Sequence, residues 1–252
     1  MFKKIILITL LFGIVFSQEK QKVVLITGTA LGIGKSTAEY LIDKGHIVYG
    51  GDILIEQNLY LNDIGGTALE MDVTNQNHID NAVTQIISEH GRIDVLVNNA
   101  GLGVYGAIED VSMEDIYYQY DVNLFGLARV TKAVLPYMRE NGWGRVILIS
   151  SIFSELNVPK NSIYCSSKSF LDRFVSNANK ENVRKGVTCN SIQLGYWDGG
   201  MFYDVPKDLQ QRAINKIGLQ RCGQIEELVK TINFIVDTEY VAGTNLKIDG
   251  GM

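Results

Sequence analysis

Short, continuously apolar segments alternate with helical ones along almost the whole chain, and this alternation constrains the fold more than any other feature. Val23–Thr27 (VVLIT), His46–Gly51, Thr67–Met71, Ile93–Val97, Arg145–Ile149, Val187–Ile192 and Leu246–Ile248 read as strands. They are rich in β-branched residues and apolar at successive positions, as strands buried on both faces must be. Ile33–Lys44, Ile79–His90, Ser112 to about Arg139, Ile163–Arg184 and Ile225–Val236 read as helices. Gly45 and Gly91 stand just past two of their ends, and Ser112 stands at an N-cap with Glu114 and Asp115 in the first turn. Strand and helix in strict turn predict an α/β fold, a doubly wound parallel sheet of about seven strands with helices on both faces. No linker or internal repeat divides the chain, so residues 18–252 read as one Rossmann-type catalytic domain.

The first seventeen residues follow a different pattern. Two lysines (Lys3 and Lys4) precede a twelve-residue apolar run, Ile5–Phe16, and then Ser17. At about 1.5 Å per residue this run spans roughly 18 Å, short of the ~30 Å hydrocarbon core. Such a segment reads as a secretory signal peptide, with a short membrane anchor or a misassigned start as the alternatives. Location follows that choice: exported or membrane-associated if the segment acts, cytoplasmic otherwise. Cleavage itself stays open.

Charge and composition exclude several classes. A net charge of −5 offers no electrostatic footprint for nucleic acid. The three cysteines and three histidines sit at no disulfide-framework or metal-ligand spacing, so no metal site is expected.

In a doubly wound sheet, ligands bind at the carboxyl ends of the strands. The first strand runs into Thr27-Gly28-Thr29-Ala30-Leu31-Gly32-Ile33-Gly34. Its glycines allow a tight bend and close approach of backbone N–H groups to a pyrophosphate at the helix N-terminus. Gly28, Thr29, Leu31, Gly32, Ile33 and Gly34 are therefore candidate cofactor contacts. The second strand ends at Asp52, whose carboxylate suits the two hydroxyls of an adenosine ribose and would repel a 2′-phosphate. Position 53 is Ile and position 31 is Leu, so no cation stands by to reverse that preference. The expected cofactor is NAD, with NADP the lesser candidate.

Further along, Asp72-Val73 follows the third strand, Asn98-Asn99-Ala100-Gly101 follows the fourth, and Asn123 lies in the long helix. Ser151 follows the fifth strand, thirteen residues before Tyr164 in Tyr164-Cys165-Ser166-Ser167-Lys168, and Asp249-Gly250-Gly251 closes the chain. Together, from Lys22 to Met252, these residues resemble the short-chain dehydrogenases/reductases in their single-domain branch of about 250 residues.

Tyr164 and Lys168 stand four apart on one helix and so share a face. A free phenol has a pKa near 10, and a neighbouring ammonium is expected to lower it toward a working range. Ser151 can hold the substrate oxygen beside Tyr164. The resemblance implies that Lys168 also binds the nicotinamide ribose and that Asn123 anchors a water in a proton relay. It further implies cofactor contacts at Asp72, Val73, Asn99, Ala100, Gly101, Tyr164 and Gly195. The chain departs from the family at Leu194, where Pro is usual, and at Gly199, where a Thr usually meets the nicotinamide carboxamide.

The segment from Gly195 to about Lys216 matches the family's mobile substrate loop and carries Tyr196, Trp197, Met201, Phe202 and Tyr203. Together with Ser151 and Phe153, the residues Tyr196, Trp197 and Phe202 are candidate substrate contacts for an apolar or amphipathic alcohol or ketone. Gly103, Val104, Tyr105 and Leu156 are further candidates for the same pocket. The helices at Tyr117–Met138 and Ser162–Val183 are apolar on more than one side, so a second side must be buried, and the resemblance implies that these helices build a homodimer or homotetramer interface.

The leading expectation is thus an oxidoreductase moving hydride between a nicotinamide cofactor and a small alcohol or ketone, with Tyr164 as acid/base. The alternatives are a catalytically weak dinucleotide-binding regulatory protein, an enzyme of this fold running another reaction such as epimerisation, and a 3-oxoacyl carrier-protein reductase-like enzyme. The absence of a basic cluster in the sequence argues mildly against the last. Neither the substrate nor the physiological direction can be read from the residues.

Overall fold

In the computed structural model, residues 21–198, 202–203 and 205–252 are described. The leader (1–17), Gly199 and Met201 lie outside them. Seven strands form one parallel sheet in the order β3-β2-β1-β4-β5-β6-β7. They are β1 (Val23–Thr27), β2 (Ile47–Asp52), β3 (Thr67–Glu70), β4 (Val95–Asn98), β5 (Gly144–Ser151), β6 (Val187–Leu194) and β7 (Asn245–Ile248). Among the described residues, nine α-helices accompany them: α1 (Gly32–Asp43), α2 (Ile55–Asn58), α3 (Tyr60–Asp63), α4 (Gln76–His90), α5 (Met113–Tyr120), α6 (Leu127–Glu140), α7 (Ser162–Asn182), α8 (Lys207–Ile214) and α9 (Ile225–Asp237).

Successive residues of β1 serve opposite faces. Val23 and Leu25 join one core layer with Ile79, Val130 and Val175, while Val24 and Ile26 join another with Leu41, Ile147 and Ile232. Burial on both faces explains the unbroken apolar strands. The order in which strands are added reverses between β1 and β4, which pair directly and in parallel, Val24 opposite Val95. That junction opens the crevice in which such sheets bind ligands.

The expected long helix from Ser112 is present but not uniform. After α5 the chain makes a π-helical turn over Asp121–Gly126 and resumes as α6. Ser112 caps it by accepting the Asp115 N–H at 3.0 Å. Asn123 sits inside the π turn, and its carboxamide bonds both the N–H and the carbonyl of Leu102. Two short helices, α2 and α3, and the loop helix α8 carry no apolar periodicity strong enough to announce them.

Candidate active site

One cleft of about 650 Å³ lies at the carboxyl ends of the strands. The glycine turn forms its floor at one end. Gly28 has φ +76°, and a Cβ at Gly34 would lie 1.9 Å from the Gly28 carbonyl oxygen. Only glycine fits either place. Helix α1 starts here with no side-chain cap and no acid in its first turn, which leaves its first N–H groups and positive end for an anion. Asn99 fastens the turn, its Nδ2 donating to the carbonyls of Thr27 and Gly28 at 2.9 Å each.

Asp52 edges the same cleft. Its carboxylate accepts the Ala30 N–H and the Leu54 N–H, both at 2.9 Å. The neighbouring Leu31 and Ile53 are exposed apolar residues. Lys168 is the one Lys or Arg among the described residues lining the cleft. The residues present therefore suit a dinucleotide.

The other end gathers the expected chemical groups. Ser151 ends β5, and Tyr164 and Lys168 lie on α7; all three line the cleft. Ser151, close by, favours the phenolate, but burial dominates and pushes the Tyr164 phenol above its ordinary value of 10, aided by Tyr105 nearby. The expected lowering by the ammonium is thus not met, because desolvation favours the neutral phenol. Lys168 Nζ donates to the Ile149 carbonyl at 3.0 Å and lies 5.7 Å from the Tyr164 ring centre. Burial lowers its pKa from 10.5 to about 8, against an opposing pull from Asp172.

An aromatic wall runs outward from Tyr164. Its ring centre is 5.6 Å from that of Tyr105 and 5.9 Å from that of Phe153. Phe153 meets Tyr196 at 6.1 Å, and Tyr196 meets Phe202 at 5.1 Å. Of the loop aromatics, Trp197 is different: it is buried and belongs to the core layer under the cleft. Its ring packs against Gly223, so it forms the cleft's base. Gly103, Val104 and Leu156 are not among the lining residues, whereas Tyr105 is.

Gly28, Leu31, Gly32, Ile33, Asp52, Asn99, Ala100, Gly101 and Gly195 all line the cleft. Thr29, Gly34, Asp72, Val73 and Asn123 do not. The Thr29 side chain is fully buried and donates to Asn58 Oδ1 at 2.8 Å. Asp72 accepts from the N–H and hydroxyl of Thr74, and Val73 packs in the core. Asn123 stands behind the wall: a Cβ on Gly101 would meet Asn123 Oδ1 at 3.3 Å and Lys168 Nζ at 3.8 Å. Sequence reasoning missed Ser36, Leu54, Asp198, Val205 and Ile225 as lining residues. Ser36, just past the first turn of α1 and two residues after the glycine turn, was the one available signal.

A family model described as short chain dehydrogenase matches residues 22–210. The 3-oxoacyl-acyl-carrier-protein reductase of Thermotoga maritima is 32% identical over 239 residues, 92% of this chain and 97% of that protein. The 3-ketodihydrosphingosine reductase of Bacteroides thetaiotaomicron is 45% identical over 148 residues, 58% of this chain and 53% of that protein, so the match spans about half its length. Among solved structures, an NAD+-bound xylitol dehydrogenase superposes with a TM-score of 0.86 at 25% identity, covering 91% of this chain and 98% of that one. A gluconate 5-dehydrogenase of Burkholderia cenocepacia, in complex with NADP and tartrate, superposes equally well, covering 91% and 94%. The chain belongs to the short-chain dehydrogenase family and is an NAD(P)-dependent oxidoreductase.

Proposed function

We propose that this enzyme transfers hydride between NAD(H) and the CH–OH or C=O carbon of an amphipathic, largely apolar alcohol or ketone. The observation that carries the reading is the convergence of Ser151, Tyr164 and Lys168 at one end of the cleft whose other end is the glycine turn and Asp52. A bound nicotinamide supplies the hydride chemistry. The protein's residues bind, orient and move the proton. Ser151 donates to the substrate oxygen and holds it beside Tyr164. Tyr164, kept protonated by burial, gives its proton to that oxygen in reduction and takes it back in oxidation. Lys168 presents its ammonium to the ribose and to the Tyr164 side, and Asn123 holds the backbone behind it. Residues 18–252 act as one catalytic unit.

Asp52 supports NAD over NADP, because a carboxylate with no cation beside it repels a 2′-phosphate. The wall of Tyr105, Phe153, Tyr196 and Phe202 supports an apolar substrate body. The similarity to a 3-ketodihydrosphingosine reductase agrees with a ketone on such a body. A second reading, a carrier-bound 3-oxoacyl substrate, draws on the full-length similarity to a 3-oxoacyl-acyl-carrier-protein reductase. Although they form no run in the sequence, Lys207, Arg212 and Lys216 are exposed on and just after α8, which follows Val205 at the cleft, and they favour this reading.

The test follows absorbance at 340 nm with NADH and separately NADPH. The panel holds free long-chain ketones, 3-oxoacyl pantetheine thioesters and short polar ketones. Turnover of free apolar ketones with NADH supports the first reading. Turnover confined to thioesters moves the assignment to the second. Turnover with NADPH alone overturns the role given to Asp52.

A further inference from the structure

Two acids line the cleft, Asp52 and Asp198. Asp52 is bonded to the glycine turn. Asp198 stands in the loop after β6, and the backbone there is held on both sides. Trp197 is buried and bridges Gly223. The Asp198 N–H donates to the Gly223 carbonyl at 2.9 Å, and the Gly223 N–H donates to the Tyr196 carbonyl at 2.9 Å. The Tyr203 hydroxyl donates to Asp198 Oδ1 at 2.5 Å. Among the described residues no cation answers this carboxylate, since none of their ion pairs includes Asp198. Arg221, two residues before Gly223, is committed to Glu227 through both terminal nitrogens, at 2.9 and 2.8 Å. Lys168 is buried and donates to the Ile149 carbonyl on β5.

Tyr203 follows Phe202, the outer member of the wall that runs from Tyr164 through Phe153 and Tyr196. The carboxylate is thus tied to the end of an aromatic surface. Ring faces and a carboxylate are together the chemistry that recognises an organic cation: the rings attract it through their quadrupoles, and the acid supplies the opposite charge and a hydrogen-bond acceptor. The same acid repels a carboxylate or phosphate on a substrate. We propose that Asp198, braced by Tyr203 at the end of the aromatic wall, is a specificity site for an ammonium group, so that the substrate is an amphipathic ketone or alcohol bearing an amine. This rests on the proposed hydride transfer at Ser151 and Tyr164. The reacting oxygen lies there, the apolar body lies along Phe153 and Tyr196, and the ammonium meets Asp198.

The experiment follows absorbance at 340 nm with full-length protein at neutral pH, with NAD and separately NADP. The substrates are secondary alcohols of one chain length that carry an amino, a hydroxyl or a carboxylate group at the same place, and that place is moved along the chain across the series. At the best place the amino alcohol should exceed its hydroxyl analogue in kcat/KM by about tenfold or more, the size of one hydrogen bond to a charged group. The carboxylate should be the poorest of the three. Asp198→Asn keeps an acceptor for Tyr203 but removes the charge, and it should erase the preference for the amine over the hydroxyl analogue. Asp198→Lys should reverse the order of amine and carboxylate, and it serves if the asparagine variant does not fold. Amines no better than their hydroxyl analogues in the wild type, or a preference that survives in Asp198→Asn, overturn the proposal and leave the hydride transfer standing. If no alcohol of the series, the neutral ones included, turns over with either cofactor, the hydride-transfer reading falls and this proposal falls with it.

Discussion

The Asp52 carboxylate accepts the Ala30 N–H at 2.9 Å, so the end of β2 and the glycine turn are held as one piece. This contact aims the carboxylate along the cleft wall. A carboxylate has about four acceptor positions, and two are used here, by Ala30 and Leu54. The others would take the ribose hydroxyls of the proposed NAD. Hydrogen bonds to a charged group contribute about 1.5–3 kcal/mol. Asp52→Asn should therefore lower kcat/KM with NAD by roughly 10- to 150-fold and leave the value with NADP unchanged or raised. Steady-state kinetics with both cofactors checks this, and an equal loss with both would contradict it.

Tyr164 is the group proposed to carry the proton. Phenylalanine keeps the ring contacts to Tyr105 and Phe153 and loses the hydroxyl alone. General acid–base catalysis contributes about 10²–10⁴-fold, so Tyr164→Phe should lower kcat by that amount. NADH affinity should stay within about threefold, because about 0.6 kcal/mol covers a change of that size. The assay pairs single-turnover rates with fluorescence titration.

Burial of Lys168 has a consequence for stability. Its pKa is about 8 in the folded protein against 10.5 ordinarily. Below pH 8 both states hold the proton and the full burial cost applies. Between pH 8 and 10.5 the unfolded state binds more protons, so stability rises with pH in that window. The increment is on the order of 3 kcal/mol. Urea unfolding at pH 7.5 and 10 should show the rise in the wild type and a smaller one in Lys168→Met. Equal rises in both would remove Lys168 as the cause.

Much of this arrangement was legible in the residues because sheet and cleft rest on local rules. Continuous apolar runs gave the strands, and glycines at their ends marked the places where backbone meets ligand. Other parts depend on packing that leaves no local trace. The π turn at Asp121–Gly126 forms because Asn123 bonds the Leu102 backbone, a contact 21 residues away. Thr29 looks like a cofactor contact in the glycine turn, yet its hydroxyl is spent on Asn58. The phenol of Tyr164 is governed by burial, which sequence spacing to Lys168 does not report.

Asn58 illustrates the hidden part. It is fully buried, accepts from Thr29 and donates to the Gly50 carbonyl at 2.8 Å. It thereby braces the glycine turn against β2. Asn58→Leu would leave a buried hydroxyl and a buried carbonyl without this partner. An unsatisfied buried group costs about 1–3 kcal/mol, so denaturant unfolding should show a loss of that size or more. NADH affinity should also fall, as the turn loses its brace. Wild-type stability in this variant would show the clamp to be incidental.

The exposed aromatics of α5, the π turn and α7 remain. Val122, Leu127, Val130 and Val134 are spent in the core, but Met113, Tyr117, Tyr118, Phe125 and Phe170 are exposed. Tyr117, Tyr118 and Phe125 line a shallow recess with Asp121 and Arg129, which pair at 2.7 Å. Large apolar side chains rimmed by an ion pair have the makeup of an interface core with a polar edge. A second copy of the chain meeting the same patch about a two-fold axis would bury it on both partners at once. Light scattering at micromolar concentration should therefore give a dimer or tetramer. Phe125→Glu places a charge at the centre of that contact and should shift the protein toward monomer, with its circular dichroism spectrum unchanged. A wild type that is monomeric across the micromolar range would show that these aromatics serve something other than self-association.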